Sequence, residues 1–349
     1  MKNKVLTVIF VFSAVFLLVA IALKPEICKE AAVKGILLCG RVLIPSLFPF
    51  TACVLFITKS GVISAFERLS NITEKVFGLN AYLTFVVILS FIGGYPIGAK
   101  LLNEAVKNRA VTPKRAGEML NYCINAGPAF IVGAVGNGIL GSTKIGYILL
   151  ISHILASVII MLVTNKKEKY SIPAITENQS ISECFVQSVS AASDVCVGIC
   201  GYVLFFSVIT AYFDYFSKYI SVLKYFPFFA EVTSAIPKAQ NIFEISFLLG
   251  FSGICVWCQI FSVAKNIDFK FSKFALFRIL HGVLSCILTM LAVRVIPVSI
   301  SCISNNKSYA FSFFYSTPAL SVSLVIMIII FFISLFSKKH TGKLIEDVI

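Results

Sequence analysis

The sequence predicts an all-α fold: a polytopic helical membrane protein with about nine apolar segments, arranged as two structural repeats with broken helices. Three observations carry that prediction. Apolar residues make up 58% of the 349-residue chain and charged residues only 13%, against roughly 45–50% and 25% in soluble domains. The apolar residues fall into runs near the ~20 residues that a bilayer-spanning helix needs. The basic residues collect in the gaps between runs, as Lys and Arg do beside membrane spans. A soluble globule and a disordered chain are both excluded. A β-barrel is excluded too, because runs such as Val5 to Leu23 are apolar on every side instead of alternating.

The formal charge of +14 would suggest nucleic acid in a soluble protein. Here the cations belong to loops, so no nucleic-acid partner is expected. Eleven cysteines, among them Cys39, Cys123, Cys196 and Cys255, lie mostly inside apolar runs. They read as small apolar core residues and not as a disulfide framework.

Taken in order, the first run follows Lys2 and Lys4 and ends at Lys24-Pro25-Glu26 without a small-residue cleavage site, so residues 1–26 read as a retained span. Ile27 to Arg41 mixes charged and apolar residues at helical spacing, which predicts an amphipathic helix lying at the interface. Further spans are expected at Val42 to Thr58, Ala81 to Ala99, Asn121 to Leu140, Ile145 to Val163, Ala192 to Tyr212, Ile242 to Val263, Leu276 to Val295 and Ala319 to Phe336. The basic linker 164–183 separates a first repeat, 27–163, from a second repeat with the last span, 184–337. A polar tail, 338–349, follows. An offset of about 160 residues sets Phe91-Ile-Gly-Gly94 on Phe251-Ser-Gly-Ile254, and transporter folds are often built from two such repeats with the substrate between them. If every segment crosses, Lys24–Arg41, Lys100–Arg115 and Lys265–Arg278 share the cytoplasmic side, and most basic residues lie there. Turning the Ala81 and Ile242 segments back on themselves splits the charges evenly. The positive-inside tendency therefore predicts full crossing.

The chemistry concentrates at the breaks. Gly93, Gly94 and Gly98 with Pro96 interrupt a helix, since Gly costs about 1 and Pro about 3 kcal/mol in a helix interior. The freed backbone groups need partners, and a half-helix N-terminus is suited to an anion; the same glycines also permit close helix packing. Tyr95 and Lys100 flank this break. At the mirror position, Ser252, Gly253 and Gln259 offer a weaker break with two hydrogen-bonding side chains, and Trp257 suits stacking on a ring or an interfacial position. Asn121 and Asn125 share a helix face just before Gly127-Pro128, fitting a polar substrate, a cation or simple interhelical bonding. Cys255 and Cys258 match C-x-x-C but lack the strand-then-helix context of a redox motif. Arg278 and His281 sit at the start of a span, where a basic residue is an ordinary topology signal and an anion contact is the alternative. His153 lies centrally in its span, suited to a proton relay or to helix-to-helix bonding. Glu231 caps the next span or lines a vestibule. There is no H-E-x-x-H, G-x-S-x-G or Walker A loop, and His153, His281 and His340 show no metal-ligand spacing. No enzyme, metal or cofactor is expected.

At Ile44-Pro-Ser-Leu-Phe-Pro-Phe50, Gly93-Gly-Tyr-Pro-Ile-Gly-Ala-Lys100, Asn121 through Asn125-Ala-Gly-Pro128, Glu231-Val-Thr-Ser234 and Phe251-Ser-Gly253 through Gln259, the chain resembles the YlbJ/SpoVV family of sporulation integral membrane proteins. That family carries the nucleoside-recognition Gate domain, which looks distantly like concentrative nucleoside transporters. The resemblance implies that 27–163 and 184–337 hold Gate-like repeats in a multi-pass protein of the outer forespore membrane. It also implies a transporter of endospore formation moving dipicolinic acid, a flat aromatic dianion. The substrate-binding residues would then be Gly93, Gly94, Tyr95, Pro96, Gly98, Lys100, Asn121, Asn125, Gly127, Ser252, Gly253 and Gln259, with Tyr95 or Trp257 covering the ring. The partners would be that small anion and the lipid bilayer, with homo-oligomerisation left open. Alternatives are a transporter of nucleosides or other small solutes and a non-transporting scaffold.

Overall fold

A computed structural model describes residues 2–60, 73–75, 77–164 and 180–296. The expected last span, Ala319 to Phe336, the tail with His340, and most of the basic linker lie outside the described residues.

Helix α1, Lys2–Leu23, ends at Lys24, and Pro25 opens α2, Pro25–Leu38, because a proline in the first turn has no intrahelical N–H to lose. A π turn at Cys39–Leu43 leads without interruption into α3, Ile44–Lys59. Pro45 cannot donate to a carbonyl one turn earlier, and the wide turn immediately before it accommodates that loss. In place of an interfacial helix followed by a separate span, the sequence therefore gives one long run, Pro25–Lys59. It packs antiparallel along α9, Ile181–Phe216. Tyr212 donates to the Lys24 carbonyl at 2.8 Å, and Cys184 contacts the Lys59 carbonyl at the other end. The polar face of α2 borders a cavity of about 750 Å³ with Asp214, Lys218 and Lys238.

The first predicted break is a hairpin. Helix α4, Ala81–Gly93, and helix α5, Tyr95–Lys107, meet at Gly94 with φ 88°, a left-handed value that glycine adopts without strain. The chain then reverses. A Cβ on Gly98 would lie 3.0 Å from that of Ser90, and Tyr82 at the start of α4 hydrogen-bonds Asn108 just past α5. In an unbroken helix the residues Tyr82 and Asn108 would stand about 39 Å apart at 1.5 Å per residue. Full crossing of this segment is thus corrected to a re-entrant turn, which buried protein surroundings tolerate.

Helix α6, Pro113–Met119, is capped by Thr112. An irregular stretch follows to Pro128, then α7, Ala129–Ile139, wound with π geometry, and α8, Thr143–Thr164. After α9 come two short helices, α10, Phe226–Ala230, and α11, Val232–Ala235.

The second break divides α12, Ile242–Phe251, from α13, Gly253–Val263, through Ser252 at φ 70° and Gly253 at φ 78°. This break continues forward. Ser246 bonds Thr289 and Gly250 abuts Gly282, while Trp257 and Phe261 meet Phe274. Helix α12 therefore runs antiparallel along a single helix, α14, Phe271–Val295, whereas α13 meets only the first turn of α14 and packs chiefly on α5 and α9. The two breaks share a sequence pattern and differ in path.

The protein is a polytopic helical membrane protein. Among the described residues, five helical runs are long and apolar enough to cross a bilayer, with shorter apolar helices beside them. The ends of α5 and α13 lie together, since Asn266 N donates to Asn103 and Asp268 N to the Pro113 carbonyl. That end gathers Lys107, Arg109, Lys114, Lys265, Lys270 and Lys273. Lys24–Arg41 does not join it. Lys100 contacts the carbonyl of Ala191 near the start of α9, whereas Lys24 meets Tyr212, about 30 Å further along that helix.

Candidate functional site

The site is built on an inverted helix. One face of α14 exposes Leu276, Ile279, Val283, Ile287 and Leu291, as a helix bathed in lipid should. Its opposite face carries Arg278, His281, Ser285 and Thr289, all 0% exposed. Polar residues this deep need inward partners, because a charge at mid-bilayer costs at least ~2.5–3.5 kcal/mol.

Arg278 finds its partners in the irregular stretch 120–128. Its Nη1 donates to the Ile124 carbonyl at 2.7 Å, and its Nη2 makes a very short bond to the Asn121 carbonyl. Those carbonyls are free because Gly127-Pro128 prevents a regular helix there. The guanidinium also lies 5.8 Å from the Phe274 ring. Its Nε has no partner, and among the described residues no carboxylate pairs with it. Glu231 is buried as well, but its carboxylate is already engaged by Thr233 N, Thr233 Oγ1 and Ser234 N. Among the described residues, Arg278 is thus a buried cation whose charge is met by two carbonyl dipoles and the Phe274 ring, without a carboxylate. The expectation that it is a topology signal at a helix end is corrected: it occupies the protein interior, one turn from His281.

The same stretch closes on the first break. Gly127 packs against Gly94, and a Cβ on Gly98 would overlap the Cys123 carbonyl. Asn125 Nδ2 donates to the Tyr122 carbonyl at 2.8 Å, and Ser157 of α8 makes a very short bond to Asn125 Oδ1. His153 Nε2 accepts the Ala126 N–H at 3.0 Å. At the second break, Gly253 packs against the backbone of Ala230 and Val232. Tyr95 bridges the two, its hydroxyl donating to the Leu249 carbonyl at 2.7 Å.

The structure therefore brings Gly93, Gly94, Tyr95, Pro96, Gly98, Asn121, Asn125 and Gly127 into one buried layer, with Ser252 and Gly253 joined to it through Tyr95. It does not bring in Lys100, whose Nζ faces the Ala191 carbonyl at 3.4 Å. Ser252 Oγ turns onto its own Phe251 carbonyl, and Gln259 Nε2 onto Cys255 of its own helix. Trp257 donates to the Phe251 carbonyl and packs in an aromatic cluster with Phe251 and Phe274.

At the basic end, a cavity of about 240 Å³ is walled by Asn121 and Phe274, the two residues that flank the Arg278 guanidinium, with Lys114, Lys270 and Lys273 around it. Glu118 and Asp268 also line it. Glu118 is held by Arg115 at 2.9 Å, so the cavity wall is net positive.

Sequence reasoning weighed Arg278 and His281 as an anion contact and His153 as a proton relay without counting them among the substrate-binding residues, and it did not single out Ser157. A usable signal was present: Arg278, His281, Ser285 and Thr289 recur at helical spacing through an apolar run, a polar stripe that a lipid-facing helix would not carry.

This chain is similar to the sporulation integral membrane protein YlbJ of Bacillus subtilis. The two are 22% identical over 346 aligned positions, which cover 83% of each chain. The likeness thus extends along most of both proteins. No family model matches the sequence. No solved structure matches it.

Proposed function

We propose that this protein is a transporter of endospore formation that carries a small aromatic dicarboxylate, dipicolinic acid, across the outer forespore membrane. The observation that carries the reading is Arg278. A guanidinium buried among membrane helices with no carboxylate partner among the described residues is a costly arrangement that an anionic cargo relieves on arrival. A guanidinium fork matches a carboxylate in shape and charge. The cavity beside it is walled by lysines and by Phe274, which suit the charge and the flat ring of dipicolinate. Two helix breaks joined in one buried layer support this reading, because many transporters hold their substrates between broken helices of two repeats. The role in sporulation rests on the likeness to YlbJ, and the outer forespore location on the family resemblance of the sequence motifs.

The test is binding to the purified protein in detergent. Trp257 is the only tryptophan and packs on Phe274 beside Arg278, so its emission reports occupancy. Dipicolinate and its benzene analogue isophthalate should change that emission saturably, whereas nicotinamide and uridine, which carry no carboxylate, should not. A response to uridine and none to dipicolinate would replace this reading with nucleoside transport. A protein that binds none of them and still assembles its sporulation partners would be a scaffold.

A further inference from the structure

Beside Arg278 lies a second unusual arrangement, two stacked histidines in the membrane core. The rings of His153 on α8 and His281 on α14 stand 4.4 Å apart between centroids, tilted by 34°. Exposure is 1% and 0%. Their hydrogen bonds fix which nitrogens carry protons. His153 Nε2 accepts the Ala126 N–H, so its proton sits on Nδ1. His281 Nε2 lies 3.0 Å from the His153 carbonyl, which can only accept, so its proton sits on Nε2 and its Nδ1 is bare. Both Nδ1 atoms are buried without a partner, as is Ser285 Oγ one turn further along α14. Structural helix-to-helix bonding accounts for the two Nε2 atoms. It leaves the two Nδ1 atoms unexplained, and unsatisfied buried polar atoms are uncommon.

Resting on the anion reading of Arg278, we propose that His281 Nδ1 is a proton-binding site that couples proton movement to anion movement. A proton arriving from water forms an N–H bond at Nδ1 and makes an imidazolium. The charged group facing it is Arg278, one turn earlier on its own helix. Among the described residues, the other titratable groups nearest it are His153 on α8, Tyr95 at the first break and Cys123 in the 120–128 stretch, while the buried carboxylate of Glu231 at the second break is engaged by Thr233 and Ser234. None of the first three is a carboxylate. An imidazolium beside an uncompensated guanidinium is repelled, and an anion at Arg278 removes the repulsion. Anion and proton therefore favour each other's binding by the same factor, as linkage requires, and the pair moves in one direction. On the far side the anion leaves, the repulsion returns, and His281 gives up the proton to water.

The experiment uses liposomes containing the purified full chain, labelled dipicolinate and a pH-sensitive dye inside. With dipicolinate outside, the wild type should carry protons inward, and each unit of imposed pH gradient, acid outside, should raise accumulation by about tenfold if one proton moves per anion. His281→Gln retains an N–H donor for the His153 carbonyl but has no basic nitrogen. It should still exchange dipicolinate for dipicolinate while losing both the proton signal and the response to the gradient. The coupling is overturned if wild-type uptake proceeds without proton movement, or if His281→Gln follows the gradient as the wild type does. Absence of dipicolinate uptake by the wild type under any gradient overturns the transport reading itself and this proposal with it.

Discussion

At the residue scale, Arg278 does two jobs with one side chain: it ties down the carbonyls of Asn121 and Ile124 and holds a positive charge in the core. Lysine at this position retains the charge but cannot reach two carbonyls and a carboxylate at once. Arg278→Lys should therefore weaken dipicolinate binding by roughly tenfold or more, the equivalent of about 1.4 kcal/mol, in a titration of Trp257 emission. The glycines make a separate prediction. Gly98→Ala forces a methyl group into the Cys123 carbonyl and should lower stability by about 1–3 kcal/mol in detergent melts. Gly133→Ala meets nothing within 4 Å and should leave the melt unchanged. Sequence alone located Gly98 because glycine and proline declare their backbone consequences locally. It favoured a topology signal over an anion contact for Arg278 because one arginine near a helix start looks the same whether it snorkels to water or turns inward, and only the packing of the 120–128 stretch decides.

At the element scale, both predicted interruptions exist, and they behave differently. Gly94 reverses the chain, whereas Ser252 and Gly253 turn it from α14 onto α5 and α9. Nothing local foretells this. The reversal depends on Gly98 fitting against Ser90 and Cys123, a contact between residues from three segments. The hairpin predicts that both of its ends face the same side of the membrane. Cysteines placed at Glu74 and at Lys107 should both react with an impermeant maleimide in vesicles of one orientation, above the wild-type background, whereas a crossing segment would expose only one. At the second break, Ser252 holds a left-handed conformation that costs a non-glycine residue about 1–2 kcal/mol. Ser252→Gly should be tolerated or mildly stabilising, and Gly253→Ala destabilising by a similar amount, both read by thermal melting.

For the whole molecule, the composition sufficed to reveal a membrane-embedded helical chain, and the basic gaps between apolar runs anticipated the cluster of Lys107, Arg109, Lys114, Lys265, Lys270 and Lys273 at one end. The same reasoning misplaced Lys24–Arg41, because it treated α2 as an interfacial helix when the chain continues it into α3 and lays both along α9. What emerges is a basic end with a small cavity, a buried layer holding Arg278 and the histidine pair, and two breaks packed against each other through Tyr95. The central claim is that the arginine in that layer is there for an anionic cargo. Uptake of labelled dipicolinate into liposomes bearing the wild type and Arg278→Gln tests it most directly, with unchanged Trp257 emission in the unliganded protein as the check on folding. Saturable wild-type uptake, reduced at least about tenfold by the substitution, is the predicted result; equal uptake by the two proteins would contradict it.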